Sequence, residues 1–387
     1  MWKKNIIIGV ISFLLFSLLP TQLIHAEEIN LAPNARSAIL IDQDTGTVLF
    51  DKNSHDRLPP ASITKIMTML LIMEAIDTGK ITFDDKVRVS EKAASMGGSQ
   101  IFLEAGEEMT VRDLLKGIAI ASGNDATVAM AEYIAGTEEE FVKMMNKKAE
   151  ELGLKDTHFV NTNGLPEENH YTTAYDIAVM SRELLKHEKI TEFTGIYQDY
   201  LRKDSHEPFW LVNTNRLVRF YQGVDGLKTG YTSEAKYCLA ATAKKGTFRV
   251  IAVVMGEPDS KTRNKEVSEL LDYAFNQYKN EVLYKKDQLV TDVEVSKGSI
   301  STIPLKAPYQ IGLLLKKGEK TEDFEQILSI KEQIQAPIQK GDVLGKLQIV
   351  KAGKVINEIP LIAAEEVSKA NIFQMFKKVL RKQFLID

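Results

Sequence analysis

Apolar residues fill positions 6–19 almost without interruption, Pro20 ends the run, Lys3 and Lys4 precede it and the small Ala26 follows. This is the layout of a secretory signal peptide. At roughly 14 residues the run is short of the ~20 that a bilayer-spanning helix needs, so cleavage near Ala26 is expected over an uncleaved anchor. Ile24-His25-Ala26 departs from a small-x-small pattern, which leaves the cleavage point open. Beyond it, β-rich runs at 37–42 and 47–50 flank Asp44-Thr45-Gly46, a hairpin signal. Residues 63–76 are apolar nearly all round, which on a helix means burial on every side. Thr110-Val111-Arg112-Asp113 opens another helix that runs to about Ala121, and further helices are predicted over 125–134, 138–152 and 175–187. Strand patterns return at 237–243 and 248–255 around Lys244-Lys245-Gly246-Thr247, followed by a helix over 261–278.

Strands at both ends of a helical middle predict an α+β domain whose terminal strands share one sheet. From 290 to 362 short β-branched runs alternate with turns such as Lys316-Lys317-Gly318 and Lys340-Gly341-Asp342, the pattern of a small all-β module. In the tail, Ile372, Phe373, Phe376, Val379, Leu380 and Phe384 share one side of a helical wheel, and Lys377, Lys378, Arg381 and Lys382 the other. A helix lying on an anionic membrane surface has this pattern; a helix docked on protein would show the same apolar stripe. The expected organisation is therefore a signal peptide at 1–26, an α+β domain at 32–279, an all-β domain at 283–363 and an amphipathic helix at 367–387.

The 387 residues suffice for two or three compact units. A net charge of −4 provides no basic field for a nucleic-acid backbone, so that partner class is set aside. Cys238 is the lone cysteine, which excludes an intramolecular disulfide and a cysteine zinc cage. His158, His170, His187 and His206 are scattered without His-x-x-x-His spacing. Each reads as a surface or loop residue, and no metal or other cofactor is expected.

Three short strings carry the candidate chemistry. Ser62-Ile63-Thr64-Lys65 opens the buried helix, and a spacing of three sets the lysine amine one turn from the serine hydroxyl. Serine attacks only when a base takes its proton, and lysine serves as that base only when burial and a nearby cation lower its pKa. Any helix with an N-cap serine would show this string by chance. Ser122-Gly123-Asn124 lies between two helices, where a hydroxyl and an amide can pass a proton and hold a carbonyl; a plain helix-helix turn uses the same residues. Lys228-Thr229-Gly230, followed by Tyr231, leads into a strand. There a lysine and a hydroxyl can meet a carboxylate, and glycine lets a ligand backbone approach closely. Backbone N–H groups of Ser62 and Tyr231 would supply an oxyanion hole.

Specificity lies in the set, since Ser-x-x-Lys, then Ser-x-Asn roughly 60 residues on, then Lys-Thr-Gly roughly 105 further is the ordered combination of penicillin-binding proteins and class A β-lactamases. With Pro60-Ala61-Ser62, Ser122-Gly123-Asn124-Asp125-Ala126 and 225–232, DGLKTGYT, the chain resembles the low-molecular-mass D-alanyl-D-alanine carboxypeptidases, and within them the sporulation-associated DacF-type members. The resemblance runs from about Ala35 to the terminal helix. It implies a β-lactamase/transpeptidase-like domain, a helical cluster on an antiparallel sheet, and an exported enzyme at the outer face of the cytoplasmic membrane. It also implies an acyl-enzyme cycle on peptidoglycan stem peptides, with β-lactams as covalent inhibitors. Ser62 would be the nucleophile, Lys65 its base and Ser122 the proton donor to the leaving D-alanine, while Asn124, Lys228, Thr229, Gly230, Tyr231 and Arg263 would bind substrate. Arg263 reads equally as a solvated charge beside Lys261 and Lys265.

Three rivals share part of this pattern. A β-lactamase needs a deacylating glutamate between the second and third strings, and no Glu-x-x-Leu-Asn occurs there. A penicillin sensor would be expected to carry a spanning helix after Ala26, and none is evident. An endopeptidase acting on cross-links would use the same machinery, and the sequence does not separate it from a carboxypeptidase.

Overall fold

In the computed structural model, residues 30–372 and 374 are described; the signal-peptide segment and nearly all of the expected tail helix lie outside them. Near the N-terminus, β1 (Ser37–Asp42) and β2 (Val48–Lys52) form the predicted hairpin. Asp42 closes its turn by accepting from the N–H of Thr45 at 2.8 Å. A 3-10 turn over Ala61–Thr64 leads directly into α1 (Lys65–Asp77), whose residues from Lys65 to Met73 are all buried. This is the apolar segment at 63–76, and it runs through the middle of the core because no face of it can be offered to water.

Helices α2 (Val111–Ala121), α3 (Asn124–Ala135), α4 (Glu138–Glu151) and α5 (Ala174–Leu184) surround it. Thr110, Thr137 and Thr173 cap α2, α4 and α5, each accepting from the backbone N–H three residues on. Strands β3 (Val224–Thr232), β4 (Lys236–Lys245) and β5 (Phe248–Glu257) complete one antiparallel sheet in the order β2-β1-β5-β4-β3, backed by α6 (Ser260–Gln277). The terminal strands thus share a sheet, as the sequence predicts, and β3 stands at its edge. Two small two-stranded sheets, 86–88 with 108–110 and 198–201 with 209–212, escape the sequence reading because runs of three or four residues carry too little periodicity.

The sequence places the domain junction at 280–282, but this stretch lies within β6 (Tyr278–Tyr284), which pairs with β9 (Ile311–Lys316). The second sheet contains β7 (Leu289–Glu294), β8 (Thr302–Lys306), β10 (Phe324–Ile330), β11 (Val343–Lys351) and β12 (Lys354–Ala363), in the order β7-β8-β12-β11-β10. Residues 367–370, counted with the tail in the sequence, are stitched to this module instead. Val367 is buried and bridges to Ile338, and Lys369 bridges to Gly298. From Ala32 the described chain forms one compact unit. Asp44 in the β1-β2 turn helps to join its parts, its carboxylate accepting from Asn280 Nδ2 at 2.7 Å and Gln310 Nε2 at 3.0 Å.

Candidate active site

The first string takes its geometry from a tight turn. Ala61 adopts φ +48°, outside the range most side chains favour, and the chain then enters the 3-10 turn that carries Ser62. A three-residue advance brings Lys65 Nζ to 3.0 Å from Ser62 Oγ. Lys65 is fully buried, and its nitrogen also donates to Asn124 Oδ1 and to the Asn163 carbonyl, both at 2.7 Å. Burial holds its pKa well below the usual lysine value, the neighbouring Lys228 cation lowers it further, and Asp125 opposes them. In the uncharged amine the two remaining hydrogens serve the two carbonyl oxygens, which leaves the lone pair for the Ser62 hydroxyl proton.

The second string is the joint between α2 and α3. Ser122 ends α2 in the left-handed conformation, φ 63° and ψ 30°, with its N–H donating to the Gly117 carbonyl. A serine held there is a local strain of the kind that collects at functional sites. Asn124 begins α3, and besides receiving Lys65 it donates from Nδ2 to the Gly97 carbonyl at 2.7 Å. Behind it the buried Asp125 carboxylate accepts from the backbone N–H groups of Ile101 and Leu103, fixing the loop that faces Ser122.

The third string lies on edge strand β3. At Gly230 a Cβ would stand 3.0 Å from the Pro60 carbonyl oxygen and 3.2 Å from Ala61 Cβ, so the glycine lets the strand sit tight against the Ser62 turn. Lys228 is almost fully buried and donates to the Thr229 carbonyl. Burial, helped by the Arg263 cation, pushes its pKa down to about 7. Thr229 Oγ1 donates to Thr214 Oγ1 at 2.7 Å. Tyr231 is exposed, with its ring against that of Tyr237. Arg263 is buried on α6, its guanidinium donates to Asn264 Oδ1, and burial pushes its pKa down.

Ser62, Ser122, Thr229, Gly230, Tyr231 and Arg263 line one cleft of about 490 Å³, with Lys65, Asn124 and Lys228 buried around its floor. The sequence-predicted set therefore converges, and Arg263 takes the cleft position over the solvated one. Sequence reasoning missed Arg216 and Thr214, which also line the cleft, and the Asn163 carbonyl that meets Lys65. Asn161-Thr162-Asn163-Gly164 reads as an ordinary turn, and a backbone acceptor leaves no mark in residue type.

His170 lies in a loop, as expected, but away from the surface: it is buried, with Nε2 2.8 Å from Thr64 Oγ1 and Nδ1 accepting from the Val160 N–H at 3.0 Å. Isolated from metal spacing, it gave no sequence signal of burial. Among the described residues no group of three or more His, Cys, Asp or Glu is placed to hold a metal.

Comparison with known proteins decides the family. Residues 24–259 match the peptidase S11 family, described as D-alanyl-D-alanine carboxypeptidase. The chain belongs to the D-alanyl-D-alanine carboxypeptidase family. Residues 278–369 match a second family, the penicillin-binding protein 5 C-terminal domain, so the all-β module is a recognised companion of this peptidase. The carboxypeptidase DacF of Bacillus subtilis is 60% identical over 350 residues, covering 90% of each chain. DacA of Escherichia coli is 32% identical, covering 90% of this chain and 89% of the relative. Among solved structures, penicillin binding protein 5 from Haemophilus influenzae matches with a TM-score of 0.69 at 31% identity, covering 87% of this chain and 98% of that one. D-alanyl-D-alanine carboxypeptidases of this family are hydrolases of the cell wall, and peptidoglycan substrates and β-lactam binding go with membership.

Proposed function

We propose that this chain removes the terminal D-alanine from peptidoglycan stem pentapeptides through a covalent intermediate on Ser62. The observation that carries the reading is the Lys65 amine, 3.0 Å from Ser62 Oγ with two carbonyl oxygens to take its own hydrogens. Lys65 accepts the Ser62 proton as Oγ bonds to the carbonyl carbon of the penultimate D-alanine. Backbone N–H groups of Ser62 and Tyr231 stabilise the oxyanion. As the C–N bond breaks, the proton passes by way of Ser122 to the departing amine. Water then cleaves the ester and frees Ser62 and the shortened stem.

Binding follows the charge layout of the cleft. Lys228, Thr229 and Arg263 receive the carboxylate of the leaving D-alanine, and its negative charge favours the protonated form of Lys228. Asn124, Gly230 and Tyr231 hold the donor peptide along β3, the edge strand of its sheet. β-Lactams acylate the same serine because their strained amide stands in for the D-Ala-D-Ala bond. The purified protein is expected to release free D-alanine from a tripeptide ending in D-Ala-D-Ala. Muropeptide mass spectrometry should show pentapeptides shortened to tetrapeptides. Cleavage confined to cross-linked dimers would replace this reading with an endopeptidase.

The exported location is also part of the proposal. The charged and apolar stretch before Ala26 supports secretion, and the apolar and basic faces of the tail beyond 370 support attachment to an anionic membrane surface. Among the described residues no helix is long and apolar enough to cross a membrane. Because 367–370 bridge to the β module, the informative truncation begins after Ala370. It is expected to move the protein from the membrane to the soluble fraction with D-alanine release intact. Unchanged fractionation would refute the tail's role.

A further inference from the structure

His170 belongs to a part of the molecule that the cycle above does not use. The loop 161–169 lies between it and Val160, and that loop presents the Asn163 carbonyl to Lys65 and sets Gly164 against the turn before Ser62. At Gly164, with φ +88°, a Cβ would fall 1.8 Å from the Ala61 carbonyl oxygen, so loop and turn are in direct backbone contact. His170 ties the two together at the neck of the loop.

The hydrogen assignments follow from chemistry. The Val160 N–H can only donate, so His170 Nδ1 accepts and carries no proton. A neutral imidazole then has its hydrogen on Nε2, and burial, with a small contribution from His158, keeps it neutral by holding the pKa down to about 4. Nε2–H therefore donates to Thr64 Oγ1, and Thr64 donates its own hydrogen to the Ala61 carbonyl at 2.9 Å. The relay is directional, with each hydrogen assigned. It ends on the residue with positive φ that immediately precedes the nucleophile.

We propose that His170 is a positioning residue for the acylation step, acting through Thr64 and Ala61 to hold Ser62 and through the loop neck to hold the Asn163 carbonyl against Lys65. It touches neither substrate nor reacting atoms. Its effect is on how often Ser62 Oγ and Lys65 Nζ meet at bonding distance, and small displacements at such contacts are expensive in rate. This inference rests on the reading of Ser62 as nucleophile.

The test measures the rate of acylation by a fluorescent penicillin, together with kcat and KM for D-alanine release and the melting temperature. His170→Ala and Thr64→Val are each expected to slow acylation by about 10-fold to 100-fold, with the loss in kcat and KM within about threefold. Thr64→Val keeps the β-branched shape and removes only the relay's hydroxyl. His170→Gln presents an acceptor and a donor on one planar group and is expected to recover most of the rate. The double variant His170→Gln/Thr64→Val should then be no faster than Thr64→Val alone, because the recovered link has nothing to donate to. Folded variants that acylate at the wild-type rate would overturn the proposal, as would a glutamine variant no better than alanine. If His170→Ala does not fold, Thr64→Val and His170→Gln carry the same decision. Labelling that survives Ser62→Ala would strike at the proposed function itself, whereas Ser62-dependent labelling with unaffected His170 and Thr64 variants would remove this inference alone.

Discussion

Ser62→Ala is expected to abolish covalent labelling by penicillin and to lower D-alanine release by about 10⁴-fold or more, with no loss of folded protein. The substitution removes one oxygen from a half-buried position at the head of α1. Lys65 keeps two of its three hydrogen-bond partners, Asn124 Oδ1 and the Asn163 carbonyl, so the buried amine is not orphaned. What disappears is the atom proposed to bond to the substrate. Thr229 and Arg263, the proposed carboxylate ligands, still line the cleft, so non-covalent association with peptide should persist while the acyl-enzyme does not form. Gel fluorescence after penicillin treatment and a D-alanine assay read the two effects separately. Full labelling of the alanine variant would show that another nucleophile is at work.

Lys65 supplies the second large effect. Lys65→Ala is expected to cut acylation by about 10³-fold, because the serine proton then has no neighbouring base. The pH dependence carries its sign with it. A base works only when unprotonated, so the rate falls as pH falls through the Lys65 pKa. Burial first and the Lys228 cation second lower that pKa, which shifts the acid limb of kcat/KM well below the range of an ordinary lysine. Removing the Lys228 charge with Lys228→Ala lets the Lys65 pKa rise, so the limb should move to higher pH. The difference should be largest below about pH 7, where Lys228 is itself charged in the unliganded protein. An acid limb that stays in place in Lys228→Ala, or a wild-type rate in Lys65→Ala, would remove lysine from the role of base.

Much of this arrangement is legible in the sequence, for definite reasons. The segment 63–76 could only be a buried helix, and a buried helix opening on Ser-x-x-Lys brings the two side chains together through local geometry. The β1 and β5 runs were long and β-branched enough to be recognised as strands of one sheet. What escaped depends on groups that sequence does not display. The Asn163 carbonyl is a backbone atom, and its placement depends on a loop folded upon itself by Asn161, whose Oδ1 accepts from the Gly164 N–H. His170 is a polar residue buried with both ring nitrogens satisfied, a state fixed by partners 106 and 10 residues away. Arg263 was undecided because helix periodicity alone does not say whether a cation faces solvent or a cleft; the packing of α6 on the sheet decides it. The strand through 280–282 was not legible because β6 follows α6 without a break, and its partner β9 lies about thirty residues on.

The pairing of β1 with β5 has a consequence for when the enzyme can become active. Ser37 stands opposite Met255, so the first strand of the domain has no inner neighbour until more than two hundred further residues are present. Contacts this distant in the chain close late and slowly. A polypeptide being synthesised, or threading a narrow channel from its N-terminal end, would thus carry Ser62 and Lys65 long before Lys228 arrives to complete the cleft. Hydrolytic competence is in this way deferred until the last strands of the sheet are in place.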